Sequence, residues 1–315
     1  MKVNYSYVYL AFFLLLNIFN FVDRNLLIAF APQIKSEFNL TNVQWGLLTG
    51  VYFLFFYSVF GIFMGVLGDK FSRMKIAAAG VFLWSLMTAF TGVAKNFSHL
   101  IVARALIGVG ESALTPNAIS MLSDLFKQNQ RGTASAIYYL GIPLGVGFGM
   151  LIAAFFGPAY GWRSVFITLG LIGMGLGILT YFLLEPRRGQ LDISFDEDNK
   201  STSIRDIISM TKHALYNSKC LTFVIIGSIF LHIPLGAGNF EVLWAVNERG
   251  FTASSYNSLF GIFFILGGTV GAVLGGVLSD RISHYFKGGV MTFLVISYLI
   301  LTPLTISYRF ISCLL

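Results

Sequence analysis

Residues 65–73 read "GVLGDKFSR" and residues 276–284 read "GVLSDRISH". The two segments lie 211 positions apart, and the same offset pairs Thr41 with Thr252, Leu48 with Leu259, Gly50 with Gly261, Phe53 with Phe264 and Val59 with Val270 without a gap. A register held along a whole helix and the loop after it marks an internal repeat, so the chain reads as two related helical bundles.

The chemistry around the repeat sets the class. Hydrophobic residues make up 56% of the chain and charged residues only 11%, with a mean hydropathy of +0.76. An ordinary soluble domain carries about 25% charged residues. The pattern is that of an all-α, multi-pass integral membrane protein. We read about nine apolar stretches long enough to cross a ~30 Å hydrocarbon core. They fall near 7–31, 43–67, 76–94, 99–123, 132–157, 163–184, 221–246, 254–278 and 289–308.

The formal charge of +7 does not point to nucleic acid, because the cations follow the loops rather than one soluble face. Lys70, Arg73, Lys75, Lys127, Arg131, Arg187 and Arg188 fall in alternate loops, whereas the opposite loops hold only Lys35, Lys95, Arg163 and Arg249. The positive-inside rule then places the N-terminus in the cytoplasm, and the plasma (inner) membrane is the expected location. The "AFA" at 29–31 imitates a cleavage site, but charges interrupt the preceding run, so the first helix is expected to stay as an anchor. Cys220 and Cys313 fall on opposite sides, and His99, His213, His232 and His284 lack ligand spacing. No disulfide, metal or cofactor is expected.

One polar stretch, 185–219, separates six apolar segments from three. Within it "SIRDIISMTKHAL" (203–215) fits either an amphipathic surface helix or a flexible charged linker. The expected organisation is an N-terminal six-helix bundle (1–186), an inter-bundle loop (187–218) and a partial second bundle (219–315).

Two apolar segments carry charges. "NFVDRNLL" (20–27) places Asp23 and Arg24 inside the first helix, where each charge costs roughly 2.5–3.5 kcal/mol at mid-membrane. "RALIGVGESALTP" (104–116) sets Arg104, Gly108 and Glu111 at i, i+4 and i+7 on one face of the fourth helix. At ~1.5 Å per residue the two groups reach the same layer from opposite ends. Asp23 and Arg24 point ~100° apart on their helix, so pairing across the first and fourth helices is the economical arrangement. Glu241 in "GNFEVLWAV" is a weaker candidate, expected near the outer end of its helix. Gly141, Gly145, Gly147 and Gly149 should make a thin helix face for packing or bending. No nucleophile is placed with a base and no ATP-binding loop is present, so enzymatic chemistry is not expected.

"GVLGDKFSRMK" (65–75) resembles the loop signature of the major facilitator superfamily, and its weaker copy follows the eighth helix. The "DR" of the first helix, Glu111, "ALTPNAISMLSDLF" (113–126) and "GWRSVF" (161–166) together resemble the spinster-like subgroup. The resemblance implies helical bundles that rock about a central site, with Gly65, Asp69 and Arg73, and more weakly Asp280 and Arg281, latching the cytoplasmic gate. It implies transport of a small organic or lysolipid-like substrate, since studied members of the subgroup move lysophospholipids and sphingoid lipids. Family members normally have twelve membrane helices, so about nine imply a second bundle represented only in part.

Protonation of an aspartate or glutamate beside an arginine releases its partner and lowers the cost of closing a cavity around it. Asp23 is therefore the expected proton acceptor, tuned by Arg24 and Arg104. Glu111 shares the proton or meets a substrate head group. The competing expectation is a membrane protein that no longer transports and instead binds a ligand or a partner chain.

Overall fold

The computed structural model describes residues 2–191, 209, 212–213, 217–282, 285 and 289–307, and among these there is no strand. The helices are α1 (Lys2–Ala29), α2 (Ala31–Glu37), α3 (Asn42–Gly46), α4 (Tyr52–Lys70), α5 (Arg73–Gly92), α6 (Phe97–Glu111), α7 (Leu114–Leu125), α8 (Gln128–Tyr139) and α9 (Gly141–Phe182). They continue with α10 (Lys219–Ala237), α11 (Glu241–Arg249), α12 (Ala253–Ile282) and α13 (Gly289–Ser307). Each expected apolar segment coincides with one or a consecutive pair of these helices. The proposed surface helix at 203–215 lies almost wholly outside the described residues.

Local chemistry starts and stops the helices where the loops require it. Pro32 opens α2, where its missing N–H costs nothing. Thr41 and Gln44 form a reciprocal capping box on α3. Thr252, the repeat partner of Thr41, accepts from the Ser255 backbone N–H at the start of α12, so the repeat extends to the cap. Ser72 and Asn96 cap α5 and α6. A π-helical turn over Leu47–Val51 joins α3 to α4.

Two elements differ from a plain helix count. α9 holds two membrane segments, because Gly161 adopts φ 74° and ψ 159° and reverses the chain between them. The seventh segment, expected as one helix over 221–246, breaks into α10, a 3₁₀ turn over Gly238–Phe240 and α11. Pro234 removes a backbone donor, and Gly236 and Gly238 weaken helix propensity at that point.

Glycines let the helices of the first bundle approach closely. A Cβ on Gly80 would stand 2.6 Å from the Gly110 carbonyl oxygen, and one on Gly108 would stand 2.7 Å from that of Phe53. Gly145 meets α1 at Ile18 and Phe21, while Gly147 meets α12 at Gly261. The glycine-rich stretch at 141–149 therefore serves packing on two sides.

The apolar core has two parts. One gathers Tyr9, Phe13, Trp84, Met121 and Tyr138 at the end of the bundle that carries Lys2, here the near end. The other, at the far end, includes Leu26, Phe30, Trp45 and Trp162 together with Val242 and Leu243 of α11. The two halves meet there and along the middle of α9 and α12. Asn257 Nδ2 donates to the Ala29 carbonyl (2.9 Å), Ser254 Oγ to that of Ala154 (2.7 Å) and Trp45 Nε1 to that of Asn239 (2.9 Å). Toward the near end α12 leaves the first bundle, and Val270, Val273, Leu274 and Val277 are exposed. The described contacts between the halves thus lie at the far end and along the middle of α9 and α12.

Candidate functional site

The charges of the first and fourth membrane helices converge because Gly108 brings α6 against α4 beside α1. Arg24 donates from Nε and Nη2 to the same oxygen of Glu111, at 3.0 and 2.6 Å. Its Nη2 also reaches Asn20 Oδ1 at 3.4 Å. The guanidinium carbon lies 4.7 Å from the ring centre of Phe53, 4.8 Å from Phe21 and 4.9 Å from Tyr57. Such a box of rings favours a desolvated cation.

The expected pairing across the two helices thus holds for Arg24 with Glu111. For Asp23 the structure gives a different partner. Its carboxylate, buried to 4% exposure, contacts the Thr88 hydroxyl of α5. Arg104 Nη2 meets the Arg24 carbonyl at 3.4 Å, and its guanidinium lies over Phe53. Helical geometry explains the change. Neighbouring residues diverge by ~100°, so Arg24 facing α6 turns Asp23 toward α5. Thr88, Asn20, Phe53 and Tyr57 were not singled out in the sequence. The signal available for Thr88 was a hydroxyl in an apolar helix at the depth of the charges.

Arg73 of the loop signature makes its described contacts within the first bundle. Arg73 is 4% exposed and stays within the first bundle. It donates to Asp124 Oδ2 (2.6 Å), Glu185 Oε1 (2.9 Å), Ser120 Oγ (2.9 Å) and the Pro186 carbonyl (3.1 Å). Burial alone would raise the Glu185 carboxyl, but hydrogen bonds from Ser72 and Arg73 outweigh it and hold the group below its ordinary range. Arg188 donates to the carbonyls of Gly68, Asp69 and Phe71, capping the C-terminal end of α4. Gly189 N–H donates to Asp124 Oδ1 at 2.9 Å. Residues 187–190, read as the start of the inter-bundle loop, are therefore bolted to the first bundle.

Asp69 is exposed at the near end, and a Cβ at Gly65 would meet nothing within 4 Å. Arg281 is exposed too, and the side chain of Asp280 lies outside the described residues. Glu241 opens α11, directly after the 3₁₀ break, and is half-buried.

At the far end Arg163 ties three turns together. It donates to Glu37 Oε1 (2.6 Å), the Gly92 carbonyl (3.0 Å) and the Ala94 carbonyl (2.8 Å). Trp162 Nε1 donates to the other Glu37 oxygen at 2.8 Å. Among the described residues no group of histidine, cysteine, aspartate and glutamate is arranged to hold a metal ion.

A glycine-packed bundle of apolar helices with a buried charge network, joined to the helices of a second half, defines a polytopic helical membrane protein. The sequence profile of the Major Facilitator Superfamily matches residues 13–315, and the chain belongs to that family. Within it the chain is spinster-like. It is 28% identical over 278 residues to Protein spinster of Drosophila melanogaster, covering 84% of this chain and 44% of that protein. It is 29% identical over 273 residues to the Sphingosine-1-phosphate transporter SPNS2 of Danio rerio, covering 83% and 54%. Among solved structures it resembles a bacterial homolog to human lysosomal transporter, Spinster, in an inward-facing and unoccupied conformation. The TM-score is 0.77 at 25% identity, with 90% of this chain and 64% of that one covered. The chain thus spans about half the length of these curated relatives. The family is one of transporters and not of enzymes.

Proposed function

We propose that this protein acts as a proton-coupled secondary transporter of an amphipathic, lysolipid-like substrate, working by alternating access. The carrying observation is the placement of Arg24. It is paired with a buried carboxylate on one side, yet keeps 24% of its side chain exposed. A cation in that position can hand its partner from Glu111 to an anionic head group when Glu111 takes a proton.

Asp23 is the proton acceptor in this reading, and Arg104 tunes it. The lysolipid class is carried by the name of the relative SPNS2 and by the aromatic surround of Arg24. The cation-rich near end is cytoplasmic by the positive-inside rule, and we read the state described here as inward-facing. The likeness to an inward-facing relative supports that orientation. Gly65, Asp69 and Arg73, with Asp280 and Arg281, close that end in the opposite state.

Uptake of a radiolabelled lysophospholipid into native membrane vesicles, with and without an imposed pH gradient, tests the reading. Gradient-dependent uptake that Asp23→Asn abolishes is the expected result. Asparagine can still donate to Thr88, so the variant should fold. Uptake indifferent to the gradient, or unchanged in Asp23→Asn, would sink it.

A further inference from the structure

Thr88 Oγ1 has two acceptor oxygens within hydrogen-bond distance, Asp23 Oδ2 and the Trp84 carbonyl at 2.9 Å, but a hydroxyl carries one hydrogen. Elsewhere in the bundle Thr49, Thr91 and Thr180 each give that hydrogen to the carbonyl four residues back. Thr88 shares this rotamer. Both of its contacts are satisfied at once only when Asp23 supplies a hydrogen of its own, donating to Thr88 Oγ1 while Thr88 donates to Trp84. Once Asp23 is ionised, the single Thr88 hydrogen must turn from the carbonyl to the carboxylate.

We propose that Thr88 is the positioning residue that couples the protonation of Asp23 to the third membrane helix, by switching its hydroxyl hydrogen between the Trp84 carbonyl and the Asp23 carboxylate. The inference rests on the reading of Asp23 as proton acceptor. No bond is made or broken in the switch beyond the O–H of Asp23, whose proton comes from solvent and returns to it.

The setting suits a fixed sensor. α5 is held on one side by Gly110, whose Cβ would stand 2.8 Å from the Gly80 carbonyl. On the other side a Cβ at Gly170 would stand 2.6 Å from the Ser85 carbonyl. With no room for α5 to shift, the answer to a change at Asp23 falls to the hydroxyl rotor and to α1. The charged groups facing Asp23 are Arg24 on its own helix and Arg104 and Glu111 on α6. From α5 come only the hydroxyls of Thr88 and Ser85, and the second limb of α9 presents Gly170 and Gly173. Among the described residues Asp23 Oδ1 and Ser85 Oγ make no hydrogen bond, and Thr88 is the one group there that hydrogen-bonds the carboxyl.

The test compares Thr88→Val, which keeps the shape and removes the hydroxyl, with Thr88→Ser, which restores it. The readout is lysophospholipid uptake across a series of external pH values. Thr88→Val is expected to move the pH of half-maximal uptake by about one unit, a tenfold change in proton concentration, with KM for the lipid little changed. Thr88→Ser is expected to return the midpoint to the wild-type value. A Thr88→Val profile that overlays the wild type, while Asp23→Asn abolishes gradient-driven uptake, overturns the role of Thr88 alone. An inert Asp23→Asn overturns the underlying reading as well. Size-exclusion profiles in detergent separate a misfolded Thr88→Val, in which case Thr88→Ala with and without Thr88→Ser as control gives the same comparison.

Discussion

Arg24 and Glu111 share one carboxylate oxygen through two guanidinium nitrogens, and the sharing is lopsided: the Glu111 side chain is fully buried, while Arg24 opens to the space between the halves. Removing one member of such a pair leaves the other to face burial alone. Breaking a buried ion pair costs about 3–5 kcal/mol, more than the pair contributes against an apolar replacement. Arg24→Ala should therefore lower the thermal midpoint in detergent clearly. Arg24→Ala with Glu111→Ala should recover part of the loss. A double variant no more stable than the single one would contradict the pairing.

The helix crossing at Gly80 and Gly110 predicts a steric result. A methyl group at Gly80 would press on the Gly110 carbonyl backbone, which has no flexible end to give way. Gly80→Ala should cost about 1–3 kcal/mol by overpacking. Gly175→Ala is the control, since a Cβ there meets nothing within 4 Å. Equal melting of the two variants would mean that α5 and α6 are not in contact as described.

The Arg73 cluster predicts where a protease will cut. Asp124 holds Arg73 and the Gly189 backbone together, so Asp124→Asn should loosen residues 185–190. Trypsin should then cleave after Arg187 and Arg188 faster than in the wild type. An unchanged cleavage rate at those two bonds would show that the strap is held by something else.

Acid should undo the far-end clasp. The hydrogen bond from Arg163 holds the Glu37 carboxyl below its ordinary range, against the opposing effect of partial burial, and Trp162 assists. A carboxylate depressed in the folded state contributes stability above its unfolded value, about 4.3, and loses that contribution as pH falls through the folded value. Both partners are more than a third exposed, 36% and 43%, so the contribution is at most about 1 kcal/mol. The stability difference between wild type and Glu37→Gln should be present near neutral pH, begin to shrink below the unfolded value of about 4.3 and vanish once the pH passes below the folded value. A difference that persists in acid would assign it to shape rather than charge.

Membrane class, span positions, the repeat and family membership were legible in the sequence because each depends on local pattern. Apolar length decides what crosses a bilayer, and a strict offset survives only where two bundles share one architecture. Asp23, Arg24, Arg104 and Glu111 were legible as a set, since charges at one depth in apolar helices must answer one another. Who answers whom was not. Asp23 hydrogen-bonds Thr88 rather than an arginine, Arg73 pairs with Asp124 and Glu185 of its own bundle in this state, and Arg188 caps α4 from beyond the expected boundary.

The sequence by itself determined that the chain is a multi-pass helical membrane protein and where along its helices the charges lie. Only the tertiary structure decided their partners. Depth follows from counting residues along one helix, at a fixed rise. A partner depends on the rotation of each helix about its axis and on the glycine contacts that fix neighbouring helices, and both are set by packing between segments far apart in the chain.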